Sequence, residues 1–243
     1  MGLLKKILNH KFYIFYALHS IYFNFKFLPF KQAIKLPILL YRPKFYSLNG
    51  KIEINGDVHF GMILLGCKGS LYDDFGNSGI RFNLKGGCLT FNGPARIGLN
   101  SLLEIGPKGK LRIGENFIAT SSFKLFCYNE VAVGKNCSLG WDQLIMDTSF
   151  HPLIRCSSME KEASSKPIII GDNCWLASRC VCLPGASIPC NSVIALGSVV
   201  KKTLHKSFAL YGTNTNLVVK KDGVFFDQEL SKDPLVFGDF NAE

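Results

Sequence analysis

The feature that most constrains this chain is an apolar residue at every sixth position near its C-terminal third. The series consists of Ile170, Leu176, Cys182, Ile188, Ile194 and Val200. An α-helix has a period of 3.6 residues and a half-buried strand a period of two, so neither explains the spacing. A six-residue period is typical of a β-solenoid, in which each repeat forms one flat side of a coil and points its apolar residue inward.

The same rhythm appears upstream, together with a repeated turn motif. An apolar residue, Gly, a polar residue and Asn follow one another at residues 113–116, 133–136 and 170–173. From Lys51 onward, short β-branched segments alternate with Gly, Asn and Asp, as expected for many short strands joined by tight turns. The sequence therefore predicts that the coil begins well before the most regular part.

Two stretches, residues 66–79 and 147–166, interrupt the rhythm. The step from Val133 to Ile170 is 37 residues, one more than a multiple of six. We interpret residues 147–166 as a loop that leaves the coil. Long loops on a rigid scaffold often carry function, so this loop is the first place to look for a site.

The composition is typical of a protein with a sizeable core and an anionic partner, but it does not identify the partner. The 243 residues are 47% hydrophobic, which is enough for a sizeable core, and the formal net charge is +10. A basic chain suggests an anionic partner such as nucleic acid, anionic lipid or a phosphorylated cofactor. No zinc-finger, RNP-type or helix-turn-helix pattern is present, so we expect no nucleic-acid partner.

The nine cysteines form no Cys-x-x-Cys pair. An odd count without a cleavable signal peptide fits a reducing compartment better than a disulfide framework. Four of them are close in sequence, which raises the question of a metal site: Cys174, Cys180, Cys182 and Cys190. We favour burial of these thiols as small apolar side chains, because Cys182 falls on an inward position of the repeat.

The rhythm divides the chain into three parts. Residues 1–45 form a basic, aromatic segment, residues 46–202 the coil, and residues 203–243 a turn, a short strand and a tail. The uncharged run in the first part is about twelve residues, shorter than the roughly 20 needed to span a bilayer as a helix. Two interpretations of residues 1–45 stay open: a segment lying in the membrane interface, or a helix packed on the solenoid or a neighbouring subunit.

Several motifs make the chain resemble a known family, the hexapeptide-repeat acyltransferases, and especially the sugar O-acetyltransferases. The motifs are Asp147-x-x-x-His151-Pro152, Pro167-Ile168-x-Ile170-Gly171-Asp172-Asn173-x-Trp175, Leu183-Pro184-Gly185-Ala186-x-Ile188 and the run from Asn191 to Val200. The resemblance is strong over residues 130–220, weaker over 50–130 and absent from residues 1–45. It implies an all-β, left-handed parallel β-helix, a homotrimer, acetyl-CoA as acyl donor and no required metal.

The resemblance assigns His151 as the general base that takes the proton of an acceptor hydroxyl. Imidazole suits this step because its ordinary pKa, about 6.5, lies near neutral pH. Trp175 lies 24 residues after His151, the spacing seen in sugar acetyltransferases. For Asp147 two roles stay open: a carboxylate that orients the His151 ring, or a turn-forming Asp.

The resemblance also predicts where the cofactor lies. Trp175 is expected beside its acetyl-bearing end, and small residues at the coil corners should let the pantetheine arm approach the backbone. The expected corner positions are Ala177, Ser178, Ala195, Leu196 and Gly197, with Lys201 and Lys202 near the cofactor phosphates. Leu196 stands where the family usually has Ala. The donor to the tetrahedral intermediate is left open between backbone N–H groups and the Ser178 hydroxyl.

The favoured function is O-acetylation of a sugar of a surface polysaccharide or its precursor, in the cytoplasm or at the inner face of its membrane. Alternatives are N-acylation of an amino sugar, serine acetyl transfer and a non-catalytic scaffold. A γ-type carbonic anhydrase shares the coil but needs three His ligands for zinc, and only His151 has a suitable setting.

Overall fold

A computed structural model describes residues 16–67, 78–151, 154, 163–213 and 217–222. The tail expected after residue 222, and parts of the two interruptions, lie outside the described residues. The helices of the described part are α1 (Ala17–Phe27) and α2 (Phe30–Ala33). Within these ranges, neither helix is long and apolar enough to cross a membrane.

The strands stack in parallel on three faces of a coil, which is a left-handed parallel β-helix. The first face is formed by β1 (Ile38–Leu40), β3 (Ile63–Cys67), β5 (Ala95–Gly98), β8 (Phe117–Ala119), β11 (Ser138–Leu139), β14 (Trp175–Leu176), β17 (Ser192–Ile194) and β19 (Ala209–Thr213). The second face is formed by β6 (Ser101–Ile105), β9 (Lys124–Cys127), β12 (Leu144–Met146), β15 (Val181–Cys182) and β18 (Val199–Val200). The third face is formed by β7 (Lys110–Ile113), β10 (Glu130–Val133), β13 (Ile168–Ile170) and β16 (Ser187–Ile188).

Two longer strands run across the corner between the second and third faces. They are β2 (Lys44–Ile54) and β4 (Ile80–Phe91), which pair with each other in parallel. The register of this pair shifts between Asn49 and Lys51, where Gly50 adopts a φ of 139°. A Cβ at Gly50 would collide with the carbonyl of Gly87, so only glycine fits this bend.

The six-residue rhythm is confirmed as the core of the coil. All six residues of the predicted series are at most 2% exposed. Ile170 pairs with Ile188, and Leu176 pairs with Ile194. Each pairing joins residues 18 positions apart, so three repeats make one coil and each repeat supplies one face.

The asparagines of the repeated turn motif, together with Asn191, form a ladder at the corner between the third and first faces. Asn116, Asn136, Asn173 and Asn191 all have φ between 55° and 57°. The side-chain amide of each donates to the amide oxygen of the next, at 3.1, 3.0 and 3.0 Å. Asn suits this position because it tolerates the left-handed region and its amide both donates and accepts.

Helix α1 covers the open edge of the first face. The Asn24 side chain donates to the Ile38 carbonyl at 2.7 Å and accepts from the Ile38 N–H at 3.1 Å. The N–H of Leu40 donates to Ser20 Oγ at 3.0 Å. Phe23 is fully buried and stacks on Phe45. This side of α1 therefore packs on the coil.

The coil extends further in both directions than the sequence rhythm indicated. β1 already pairs with β3 at Ile38–Ile63, and β19 adds a strand beyond the expected end at residue 202. The sequence predicts a turn at residues 210–214, but most of these residues belong to β19, which continues the first face. β19 pairs antiparallel with β20 (Leu217–Asp222), the short strand that the sequence predicts. Neither β1 nor β19 follows a Gly-polar-Asn motif, which is why the pattern did not reveal them.

Candidate functional site

His151 lies on the loop that leaves the coil between the second and third faces. The two arms of this loop meet at its base, where Thr148 and Ser165 form an antiparallel bridge. The N–H of Ser149 donates to the Ser164 carbonyl at 2.8 Å, and Ser149 Oγ lies 3.0 Å from the His151 carbonyl to which it donates. These bonds hold His151 at the rim of the coil with its side chain exposed.

Phe150, the residue before the candidate base, is held in place by contacts with its neighbours. Its φ is 61°, a conformation that costs energy for an aromatic residue. Thr148 Oγ1 accepts the Phe150 N–H at 3.0 Å. The Phe150 ring packs edge-on against Tyr128 at 5.0 Å and against Phe126 at 5.9 Å between centroids. These contacts compensate the strained backbone and fix the direction from which His151 projects.

A polar cluster adjoins Phe150 on neighbouring coils. Tyr128 Oη donates to Glu104 Oε1 at 2.5 Å, and Lys85 Nζ donates to the same oxygen at 3.0 Å. Asn83 Nδ2 donates to the other oxygen, Oε2, at 2.9 Å. Burial alone would raise the pKa of Glu104, but these three hydrogen bonds outweigh it and lower the pKa below its ordinary value. Glu104 is therefore an ionised acceptor at neutral pH.

Asp147 has a different set of partners from the one an orienting carboxylate would need. It is fully buried, and its two oxygens accept the backbone N–H groups of Tyr128 and Asn129, each at 2.7 Å. Burial raises the pKa of Asp147, while the bonds from the backbone oppose that rise. Both oxygens face the 128–129 turn, so the Asp147 carboxylate supports that turn from the next coil. Orientation of His151 by Asp147 stays a prediction.

The corner between the first and second faces brings most of the predicted cofactor residues together. The Ala177 N–H donates to the Ile194 carbonyl at 2.9 Å, and the Gly197 N–H donates to the Ser178 carbonyl at 3.0 Å. Ser178 Oγ accepts the N–H of Trp141 at 3.2 Å and keeps its own proton to donate. The corner group consists of Trp175, Ala177, Ser178, Ala195, Leu196 and Gly197. Small side chains leave its backbone open to a long, amide-bearing ligand.

Leu196 lies at the corner of the predicted cofactor residues, which we call the cofactor wall, whereas Lys201 and Lys202 lie at another corner. Leu196 is 68% exposed, so its larger side chain projects outward and leaves the coil undistorted. Lys201 and Lys202 are exposed but follow β18, at the corner between the second and third faces. β18 separates Lys201 from Gly197 by at most about 14 Å of extended chain, the width of one face. Within one chain, these lysines therefore share a corner with the His151 loop rather than with Ala195.

Within one chain, His151 and Trp175 lie on different parts of the coil. The loop leaves after β12, and the chain then forms the third face at β13 before Trp175 begins β14 on the first face. The corner that carries His151 is opposite the first face of the three-sided coil. The chain therefore presents two half-sites, one with the candidate base and one with the candidate cofactor wall.

Three of the four clustered cysteines lie in the core of the coil. Cys174, Cys180 and Cys182 are buried, whereas Cys190 is exposed. Burial raises the pKa of Cys180 to about 11, so it is protonated at neutral pH. Among the residues with described positions, no group of three His, Cys, Asp or Glu side chains could hold a metal ion.

Comparison with known proteins confirms the resemblance inferred from the motifs. No family model matches the chain. Galactoside O-acetyltransferase of Escherichia coli (strain K12) is 30% identical over 108 residues, 44% of this chain and 53% of that protein. Galactoside O-acetyltransferase of Lactococcus lactis subsp. lactis (strain IL1403) is 28% identical over 103 residues, 42% of this chain and 49% of that protein. The chain thus spans about half the length of these curated relatives.

A solved structure supports the fold over a longer range. The crystal structure of the polySia-specific acetyltransferase NeuO aligns with a TM-score of 0.58 at 20% identity. The alignment covers 79% of this chain and 74% of that chain. The left-handed β-helix implied by the resemblance is therefore confirmed, as is the coil predicted from the six-residue rhythm.

Proposed function

We propose that this chain is an acetyl-CoA-dependent O-acetyltransferase that acts on a sugar hydroxyl of a surface polysaccharide or its precursor. One observation carries the proposal: an exposed His is held at the rim of a coil whose sequence relatives include galactoside O-acetyltransferases. The proposed location is the cytoplasm, because the free thiols of the described residues suit a reducing compartment.

The proposed reaction is direct acyl transfer. His151 takes the proton of the acceptor hydroxyl as that oxygen forms a bond to the thioester carbonyl carbon. The Ser178 hydroxyl or a corner N–H group stabilises the resulting oxyanion. The C–S bond then breaks, and the proton held by His151 passes to the leaving thiolate. The products are a sugar acetate and the free thiol of CoA.

The two half-sites support assembly as a homotrimer. In a ring, each protomer presents one surface to the next protomer and a different surface to the previous one. Such a ring can place the His151 corner of one protomer against the Trp175 corner of its neighbour. Three complete sites would then form between subunits, each combining a base from one copy with a cofactor wall from another.

The polar cluster supports a polyhydroxylated acceptor. Glu104 offers carboxylate oxygens, Asn83 an amide and Lys85 an ammonium, all on coils next to the His151 loop. Groups of this kind pair with hydroxyls, which both donate and accept hydrogen bonds. We propose that the acceptor sugar approaches His151 across this cluster.

The test combines a chemical and a genetic measurement. The polysaccharide of a strain lacking this protein should lose an O-acetyl signal by NMR, and purified protein should restore it with acetyl-CoA while releasing CoA thiol. Protein carrying His151→Ala should restore nothing. An acetyl group lost from nitrogen, or unchanged polysaccharide with no thiol release, would overturn the proposal.

Shared sites have their own test. Mixed assemblies of His151→Ala and Trp175→Ala chains, each inactive alone, should regain activity because some interfaces pair an intact His151 with an intact Trp175. Random mixing in equal amounts should restore about a quarter of the sites of a closed ring. Failure to regain activity after mixing, with light scattering showing exchanged trimers, would argue against a site shared between subunits.

A further inference from the structure

Helix α1 is buried on one side and carries exposed apolar side chains on the opposite side. One side, with Ser20, Phe23 and Asn24, is buried on the coil. The other side carries Leu18, which is 80% exposed, and Phe25, which is 47% exposed. The coil therefore leaves the apolar side chains on the outer side of this helix uncovered.

Helix α2 extends the exposed side into a continuous patch. Phe30 is 68% exposed, and its ring lies 6.1 Å from that of Phe25 between centroids. We define the apolar patch as Leu18, Ile21, Tyr22, Phe25, Phe30 and Ile34, all of which are exposed. Single exposed apolar residues are ordinary, but a contiguous group usually marks a surface that meets a partner or a membrane.

Lysines surround this patch. Lys26 Nζ lies 6.0 Å from the centroid of the Tyr22 ring, and Lys31 and Lys35 are exposed beside Phe30 and Ile34 in the chain. The first 52 residues hold nine of the 28 Lys and Arg residues and none of the 18 Asp and Glu residues. Nearly the whole net charge of +10 therefore belongs to this end of the chain.

We propose that the apolar patch lies on the surface of a bilayer rich in anionic lipid. The aromatic and aliphatic side chains would enter the boundary between headgroups and acyl chains, where Tyr and Phe rings are favoured. The lysines would reach the headgroup phosphates, each contributing Coulomb attraction to the anionic surface. The docked side of α1 fixes the orientation of the coil on the membrane.

Charge distinguishes this partner from a second copy of the chain. A self-complementary contact between two patches would bring Lys26, Lys31 and Lys35 against the same lysines of the other copy. No acidic residue of the first 52 is available to compensate them. Such a contact would desolvate and oppose like charges, whereas an anionic bilayer neutralises them. The proposal does not depend on the acyl-transfer function.

The test uses the full-length protein and vesicles of phosphatidylcholine with and without phosphatidylglycerol. Wild type should co-float with the anionic vesicles, and raised salt should weaken the binding because it screens the lysines. The double variant Phe25→Glu/Phe30→Glu should lower the partition coefficient at least about tenfold. Ile169→Glu is the matched control, since Ile169 is 50% exposed on the third face, and it should bind like wild type.

A second variant, which removes the lysine charges, keeps the test decisive if the double variant does not fold. Cooperative unfolding in denaturant shows whether each variant is folded. The triple variant Lys26→Gln/Lys31→Gln/Lys35→Gln should reduce binding to anionic vesicles to the level seen with phosphatidylcholine alone. Wild type that stays unbound to anionic vesicles, or folded variants that bind as well as wild type, would overturn the proposal. A fall in molar mass of the Phe25→Glu/Phe30→Glu variant by light scattering would also overturn it, because the patch would then join subunits.

Discussion

The ring of Phe150 stands edge-on against the ring of Tyr128, with centroids 5.0 Å apart and an interplanar angle of 81°. This contact joins the candidate catalytic loop to the rigid coil, because Tyr128 is itself held by Glu104 and Lys85. The residue that follows Phe150 is His151. We therefore expect the position of the proposed base to depend on an aromatic pair that takes no part in proton transfer.

We expect Phe150→Ala to lower kcat at least about tenfold and to leave the KM for acetyl-CoA nearly unchanged. The ring would no longer hold His151 in position, whereas the cofactor wall lies at another corner. Phe150→Gly relieves the positive φ but also lacks the ring, so it should be equally impaired. Tyr128→Phe keeps the ring contact and should retain most of kcat. Steady-state kinetics on the three variants checks this, and a Phe150→Ala variant with normal kcat would contradict it.

His151→Ala should abolish transfer and leave the affinity for acetyl-CoA nearly unchanged. The side chain is exposed, so its removal should also leave the free energy of unfolding within about 0.5 kcal/mol of wild type. Calorimetric titration with CoA and a thiol-release assay separate binding from chemistry. Substantial transfer by this variant would refute the assignment of His151 as base.

Asp147→Asn should destabilise the fold by about 1–3 kcal/mol. The Asp147 carboxylate accepts two backbone N–H groups, and the amide that replaces it can accept only through its single oxygen. Chemical denaturation of the two proteins measures the difference. Asp147→Glu, which keeps the charge but lengthens the side chain, is the control for geometry.

The raised pKa of Asp147 predicts that the free energy of unfolding depends on pH. Because burial raises the pKa of folded Asp147, the folded chain keeps this proton to higher pH than the unfolded chain. This contribution to stability is full below the ordinary Asp pKa and is lost as pH rises through the folded value. The free energy of unfolding of wild type should therefore fall more than that of Asp147→Asn between these two values. Parallel pH profiles would contradict the raised pKa.

Asn136→Ala should cost about 1–3 kcal/mol of stability, because it removes two rungs of the asparagine ladder and places a non-glycine residue at a φ of 55°. Asn136→Gly removes the same hydrogen bonds but accepts that φ freely. The difference between the free energies of unfolding of the two variants, measured in denaturant, gives the cost of holding a non-glycine residue at this φ. Equal stability of both would show that the conformation is not strained.

The fold could be predicted from the sequence because each six-residue repeat forms one face of the coil and three repeats complete one turn of it. Ile170 and Ile188 already stand one coil apart in the sequence. The ends of the coil could not be predicted, because Ile38 and Tyr211 pack without the turn motif that marked the rest. The rhythm identified inward positions but not which of the three faces each one occupies.

The site was predicted only in part for the same reason. The structure places the small residues near Ala177 and Ala195 at one corner, as the motifs indicate. The position of His151 relative to Trp175 depends instead on the face at which the loop leaves the coil. The polar cluster was missed because Lys85, Glu104 and Tyr128 are 19 and 24 residues apart, and no fixed period links them. The left-handed backbone of Phe150 has no sequence signal, since aromatic residues seldom adopt it.

The docking of α1 on β1 has a consequence for how copies of this chain can associate. A stack of parallel strands offers unpaired N–H and C=O groups at its terminal edge, where another chain can add a strand and propagate a fibre. Here Ser20 and Asn24 already satisfy that edge at Ile38 and Leu40. At the opposite end, β20 runs antiparallel to β19 and reverses the direction in which the first face could be extended. End-to-end polymerisation along the first face is thereby disfavoured, and contact between copies is directed to the sides of the coil.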